Sequence, residues 1–109
     1  MENLSDEQIL KIVSKKGWNL KFASPKQKDN YDIVLAAVKQ YGWAIQHASP
    51  TLIENRNIVL EAVKQDYIAL EYGDIKFRDD KEIVLHAVSK NGFSLKLASE
   101  RLKKDREVI

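Results

Sequence analysis

The stretch NIVLEAVKQ, Asn57–Gln65, recurs as DIVLAAVKQ at Asp32–Gln40 and as EIVLHAVSK at Glu82–Lys90. Each copy lies twenty-five residues from the next. A fixed period of this length marks a supersecondary unit that is copied along the chain, so the period decides the fold before any single element is assigned. Stepping outward by the same interval gives further columns. Leu10, Leu35, Leu60 and Leu85 align, as do Val13, Val38, Val63 and Val88, and Leu20, Ile45, Leu70 and Leu95. Ile12 heads a column of alanines, Ala37, Ala62 and Ala87. No insertion or deletion interrupts the pattern.

Polar columns punctuate the unit. Ser5, Asn30, Asn55, Asp80 and Asp105 share one position, and all are favoured helix N-caps, whose side chains accept a hydrogen bond from an otherwise unpaired first-turn amide. Ser5 and Gln8 have the spacing of a capping box. Gly17, Gly42 and Gly92 follow three of the four long helices and are expected to close them in a left-handed conformation. A second cap column holds Ser24, Ser49, Asp74 and Ser99, with Pro25 and Pro50 directly after it. Each unit therefore reads as a helix of about ten residues, a glycine turn, a shorter second helix and a Ser-Pro turn that leads on through a one-turn segment.

Three adjacent apolar residues, Ile-Val-Leu, cover too wide an arc for a helix that buries a single stripe. A helix flanked on both sides by neighbouring units buries that arc. The expected fold is all-α: an α-solenoid-like stack of four units, 5–29, 30–54, 55–79 and 80–104, with the start of a fifth at 105–109. The whole chain, 1–109, is one helical-repeat domain, and an antiparallel helix bundle is the fallback. Gln8 replaces the isoleucine of Ile33, Ile58 and Ile83, which suits a terminal face with no preceding unit.

On these residues the repeat resembles the family known as domain of unknown function 4116. That family's phrase is close to D-[KR]-E-[IV]-V-L-x-A-V-K-x-N-G-x-x-L-x-x-A-S, which Asp80–Ser99, DKEIVLHAVSKNGFSLKLAS, follows nearly throughout. Unit one departs at Gln8 and Ile12, unit two at Tyr41, and unit three at Asp66, Tyr67, Gly73 and Asp74. The resemblance implies a helical repeat found in tandem arrays; it implies no activity and assigns no residue a catalytic role.

The residues themselves give no catalytic, cofactor or metal set. The chain of 109 residues has no cysteine, hence no disulfide, thiolate ligand or thiol nucleophile. The two histidines, His47 and His86, have no metal-motif spacing. His47 shares a column with Phe22, Tyr72 and Leu97 and reads as a core-edge residue, while His86, aligned with Lys11, Ala36 and Glu61, reads as solvent-facing. The prominent serines are explained as caps, and no G-x-S-x-G elbow or phosphate loop is present. The formal net charge of +2 is too mild to demand a polyanion. Without a signal-like or bilayer-length apolar segment, the default reading is a soluble cytoplasmic protein with no membrane partner.

Two surface features remain. Trp18, Trp43, Ile68 and Phe93 share a column, and its aliphatic member makes core packing the expected role, with Tyr31, Tyr41 and Tyr67 more exposed. Lys15, Lys39, Lys64 and Lys90 lie in the last turns of the long helices, opposite Glu7, Asp32 and Glu82 in the first turns, as the helix dipole favours. Stacked in register, those lysines form a ladder along one edge. Unit three supplies the local irregularity, with Asp66, Tyr67, Tyr72 and Asp74 as a candidate binding feature. The expected function is a non-enzymatic interaction or scaffolding module for another protein or peptide. The alternative is nucleic-acid or acidic-partner binding along the lysine edge.

Overall fold

A computed structural model describes residues 4–109; Met1–Asn3, assigned above to the same domain, lie outside the described residues. The all-α expectation holds. Helices α1 (Asp6–Lys15), α2 (Tyr31–Gln40), α3 (Arg56–Gln65) and α5 (Lys81–Lys90) begin at intervals of twenty-five residues. Short helices α4 (Ala69–Tyr72) and α6 (Glu100–Lys103) complete the α segments. Most of the intervening chain is tight 3₁₀ helix: Gly17–Phe22, Gln27–Asp29, Gly42–His47, Leu52–Glu54, Ile75–Asp79 and Gly92–Leu97.

The cap columns act as caps. Ser5, Asn30, Asn55 and Asp80 each accept a hydrogen bond from the amide three residues on, and Ser5 and Gln8 close a reciprocal capping box. Ser24, Ser49 and Ser99 cap the shorter segments in the same way, and Asp74 accepts from the Lys76 amide two residues on. Ser24 and Gln27 form a second reciprocal box, and the buried Gln27 amide reaches back to the Leu4 carbonyl at 2.8 Å.

The glycines do not close the helices in a left-handed conformation. The long helices end at Lys16, Tyr41, Asp66 and Asn91 with negative φ of −139°, −152°, −151° and −155°, the last three in extended backbone. Each of these residues still donates its N–H to the carbonyl four residues back. Glycine follows for a different reason, close approach. A Cβ on Gly17 would stand 2.3 Å from the Ala37 carbonyl oxygen, and one on Gly42 would stand 2.5 Å from that of Ala62. The helix of the following unit sits directly against the glycine of the preceding one.

Neighbouring units therefore touch in sequence: α1 packs on α2, α2 on α3, and α3 on α5. The result is extended, 49 × 22 × 16 Å. Ile9, Val34, Val59 and Val84 are fully buried, as are Val13, Val38 and Val63. The leucine column is less central than its regularity suggests: Leu60 is buried, whereas Leu10, Leu35 and Leu85 are half-buried. Ile58, Val59 and Leu60 are all buried, the two-flanked burial expected of the middle of the chain.

Fastenings repeat along both edges. On the short-helix side, Ser49, Asp74 and Ser99 donate backbone N–H bonds to the carbonyls of Lys28, Ile53 and Arg78. The Ser49 and Ser99 hydroxyls also donate to Asp29 and Asp79. At the N-termini of the long helices, Arg56 grips Asp80 and Glu82, both at 2.6 Å. Lys81 makes the same pair of contacts one unit later, to Asp105 at 3.2 Å and Glu107 at 2.7 Å. Residues 105–109 form a single turn in which Ile109 N–H donates to the Asp105 carbonyl, and Val108 is buried in the slot that Ile33, Ile58 and Ile83 fill in their units.

Candidate interaction surface

Exposed aromatic side chains gather on the short-helix edge, and here the sequence expectation is overturned. Trp18 is 44% and Phe93 78% exposed, while Trp43 and Ile68 are half-buried, so this column is a surface edge and not core. The 3₁₀ geometry explains it. In the 3₁₀ segments of units one and two Leu20 and Ile45 turn fully inward and the residue two positions earlier is carried out to the rim; Leu70 is likewise buried, from the short helix α4. Phe22, 48% exposed, stands edge-on to Trp18 with ring centroids 6.2 Å apart. The Lys21 ammonium lies over both rings, 5.4 Å from one centroid and 4.9 Å from the other, an arrangement the ring quadrupoles favour. Trp43 meets Tyr72 across the next junction at 6.1 Å. His47, half-buried nearby, has its pKa lowered by burial first and by Lys28 and Lys21 second, so it favours the neutral imidazole. Half-buried His86 is also less solvent-facing than its column suggested.

The third unit departs from its neighbours where the sequence does. Tyr67 takes the position of Gly17, Gly42 and Gly92, and its Cβ bars the close approach that the two buried glycines allow. Helix α5 accordingly packs on α3 less extensively than α2 on α1 or α3 on α2. The Ala87 carbonyl, which corresponds to those of Ala37 and Ala62, accepts the Ser94 hydroxyl at 2.9 Å. Where the units stand apart, a groove of about 470 Å³ opens. Tyr67, Ile68, Phe93 and Leu97 form its apolar walls, and Glu71 and Lys96 stand at its rim.

Of the residues singled out in unit three, only Tyr67 lines that groove. Asp66 ends α3 and accepts the Ile68 N–H at 3.1 Å; Asp74 caps the segment Ile75–Asp79; Tyr72 packs on Trp43. Ile68 and Phe93 share a column that reads in sequence as core, and Leu97 belongs to the column that reads as a core edge. The exposed Phe93 beside an irregular unit was the available signal.

The lysine ladder does not form a single row. Lys39 and Lys64 share one column with Ser14 and Ser89, whereas Lys15 and Lys90 share the next with Gln40 and Gln65. One residue on a helix is a turn of about 100°, so the two pairs point differently. Lys64 is moreover held by Glu61 at 3.2 Å. Among the described residues, no three His, Asp or Glu side chains converge as a metal set, and no helix is long and apolar enough to cross a membrane.

No curated protein and no solved structure matches this chain. A family model does match, over residues 6–53 and 80–109, and passes over the irregular third unit. The chain belongs to the family described as domain of unknown function, DUF4116.

Proposed function

We propose that this chain is a non-enzymatic interaction or scaffolding module that holds a protein or peptide in the groove between its third and fourth units. The observation that carries this reading is the groove itself. A tyrosine in a glycine slot props two units apart beside a phenylalanine that is 78% exposed. Large exposed aromatics at a concave apolar surface are the usual anchors of protein recognition. A space of about 470 Å³ takes one or two large side chains. Glu71 and Lys96 at the rim offer one charge of each sign to fix orientation. The lysine edge is the weaker reading, because its members divide between two columns and Lys64 is already paired.

The test is capture of partners from native lysate on the immobilised chain, with and without nuclease, beside a Phe93→Ser variant. Proteins retained in both halves and lost in the variant support the groove. Retention that nuclease abolishes supports the lysine edge. Retention indifferent to Phe93→Ser rejects the groove.

A further inference from the structure

The junction of the first two units presents a second face, away from the groove. The 3₁₀ segment Gly17–Phe22 carries Trp18, Lys21 and Phe22 to the short-helix edge, and all three are exposed. This segment packs on Gly42–His47 of the next unit. The Ser49 N–H donates to the Lys28 carbonyl at 2.9 Å, which ties Lys28 to the chain just past His47. Trp18, Lys21, Phe22, Lys28 and His47 therefore meet at one junction.

The cations here are not matched by carboxylates. The charges that act on the His47 imidazole are those of Lys28 and Lys21. Among the described residues neither lysine is in an ion pair. Asp29, next to Lys28 in the chain, is engaged by the Ser49 hydroxyl at 2.6 Å. Later units differ. The position of Lys21 is Gln46 in the second unit and Glu71 in the third, and where Lys96 restores a cation it shares the groove rim with Glu71.

The rings decide which anionic partner this face suits. Phe22 stands edge-on to Trp18, with the ring planes at 69°, and Lys21 lies over both. A nucleobase stacking on those ring faces would first have to displace the ammonium. What stays open is apolar ring edge with ammonium groups beside it, a surface complementary to carboxylates that flank an apolar side chain.

We propose that Trp18, Lys21, Phe22 and Lys28 form a docking surface for an acidic peptide segment of a partner protein, in which glutamate or aspartate flanks an apolar residue. The apolar side chain lies against Trp18 and Phe22, and the carboxylates reach Lys21 and Lys28. The surface is distinct from the groove and from the lysines of the long helices, and the proposal stands without either of those readings.

The experiment titrates the chain with a synthetic peptide in which glutamates flank a Leu-Phe pair, labelled for anisotropy and unlabelled for tryptophan emission. The same peptide with glutamine for every glutamate, and a thymidine oligonucleotide, serve as comparisons. The acidic peptide is expected to bind, to bind less tightly as salt is raised, and to shift an indole emission that disappears in Trp18→Phe, where Trp43 remains. Lys21→Gln combined with Lys28→Gln is expected to raise Kd by about tenfold, the joint effect of two exposed ion pairs. Lys39→Gln combined with Lys90→Gln removes the same charge elsewhere and should leave Kd near the parent's, as should Phe93→Ser. Melting curves that overlay the parent's keep misfolding out of the comparison. No binding, or equal binding of the glutamine peptide, overturns the proposal. Equal weakening by the two lysine pairs reduces the effect to net charge, and preference for the oligonucleotide assigns the face to nucleic acid; in either case the proposal falls. Weakening confined to Phe93→Ser moves the peptide to the groove and overturns it as well.

Discussion

The backbone of Gly17 lies so close under the carbonyl of Ala37 that an added Cβ would stand 2.3 Å from its oxygen and 2.9 Å from the Tyr41 Cβ. The obstructing atom is backbone, on the central helix of the next unit, and it has no rotamer with which to move aside. Gly17→Ala and Gly42→Ala are therefore expected to push neighbouring units apart, at a cost of about 1–3 kcal/mol each, the range for overpacked sites. Chemical denaturation measures this directly. Both variants should lose stability although alanine has the higher helix propensity. A gain in either would mean that the units do not meet at these glycines.

Leu60 is the buried member of the leucine column, and Leu35 is half-buried. Leu60→Ala leaves a cavity with neighbours on both sides and is expected to cost about 2–5 kcal/mol. That is a large share of the roughly 5–15 kcal/mol a domain usually has. Leu35→Ala should cost clearly less, since solvent fills part of the space. Equal losses in the two denaturation curves would place both leucines in the same environment and contradict the burial described here.

What could be read from the sequence follows from which interactions are periodic. N-caps, the alternation of long helix with tight turn, and the burial of Val13, Val38 and Val63 all repeat every twenty-five residues and are legible, as is the Ser5–Gln8 box from its local spacing. The role of Gly17 was not, because a glycine needed for close approach and one needed for positive φ occupy the same place after a helix. Trp18 and Phe93 were misjudged for a related reason. An apolar column fixes a position in the unit but not which way a 3₁₀ segment turns it. The inter-unit pairs of Arg56 and Lys81 reach residues twenty-four and twenty-six positions ahead, an offset that becomes meaningful only once the units are packed. The groove needed a structure outright, since Tyr67 in the sequence signals irregularity without saying that it opens a space.

Asp80 caps α5 and holds Arg56, and these contacts keep its carboxyl below the usual range, the hydrogen bond from Arg56 being the largest cause. Asp105 is lowered too, first by the Glu107 amide and then by Lys81. A carboxylate whose pKa is depressed by folding stabilises the fold above its unfolded pKa, near 4, and loses that contribution as pH falls through the lower folded value. Tm should consequently decline as the solution is taken from about pH 5 downward. Asp80→Asn keeps the cap, as Asn30 and Asn55 do in their units, but removes the titrating group. Its Tm should be lower at pH 7 and fall less steeply in acid. An acid limb identical to that of the parent would show that the Arg56 pair does not contribute.

Phe93 and Trp18 occupy the same column and are both exposed, but only Phe93 lines the groove beside Tyr67. This separates recognition by the groove from recognition by any aromatic edge. Phe93→Ser removes an exposed ring, and surface changes of that kind usually stay within about 0.5 kcal/mol of neutral, so its melting curve should overlay the parent's. Trp18→Ser should shift the curve slightly more, because Trp18 also packs edge-on against Phe22 beneath Lys21. Partner capture should show the reverse order, with loss on Phe93→Ser and retention on Trp18→Ser. Quantitative pull-down of the same partner by the two variants decides it. Equal losses would spread recognition along the whole aromatic edge, and loss confined to Trp18→Ser would move it to the first unit, where Lys21 and Phe22 would become the anchors.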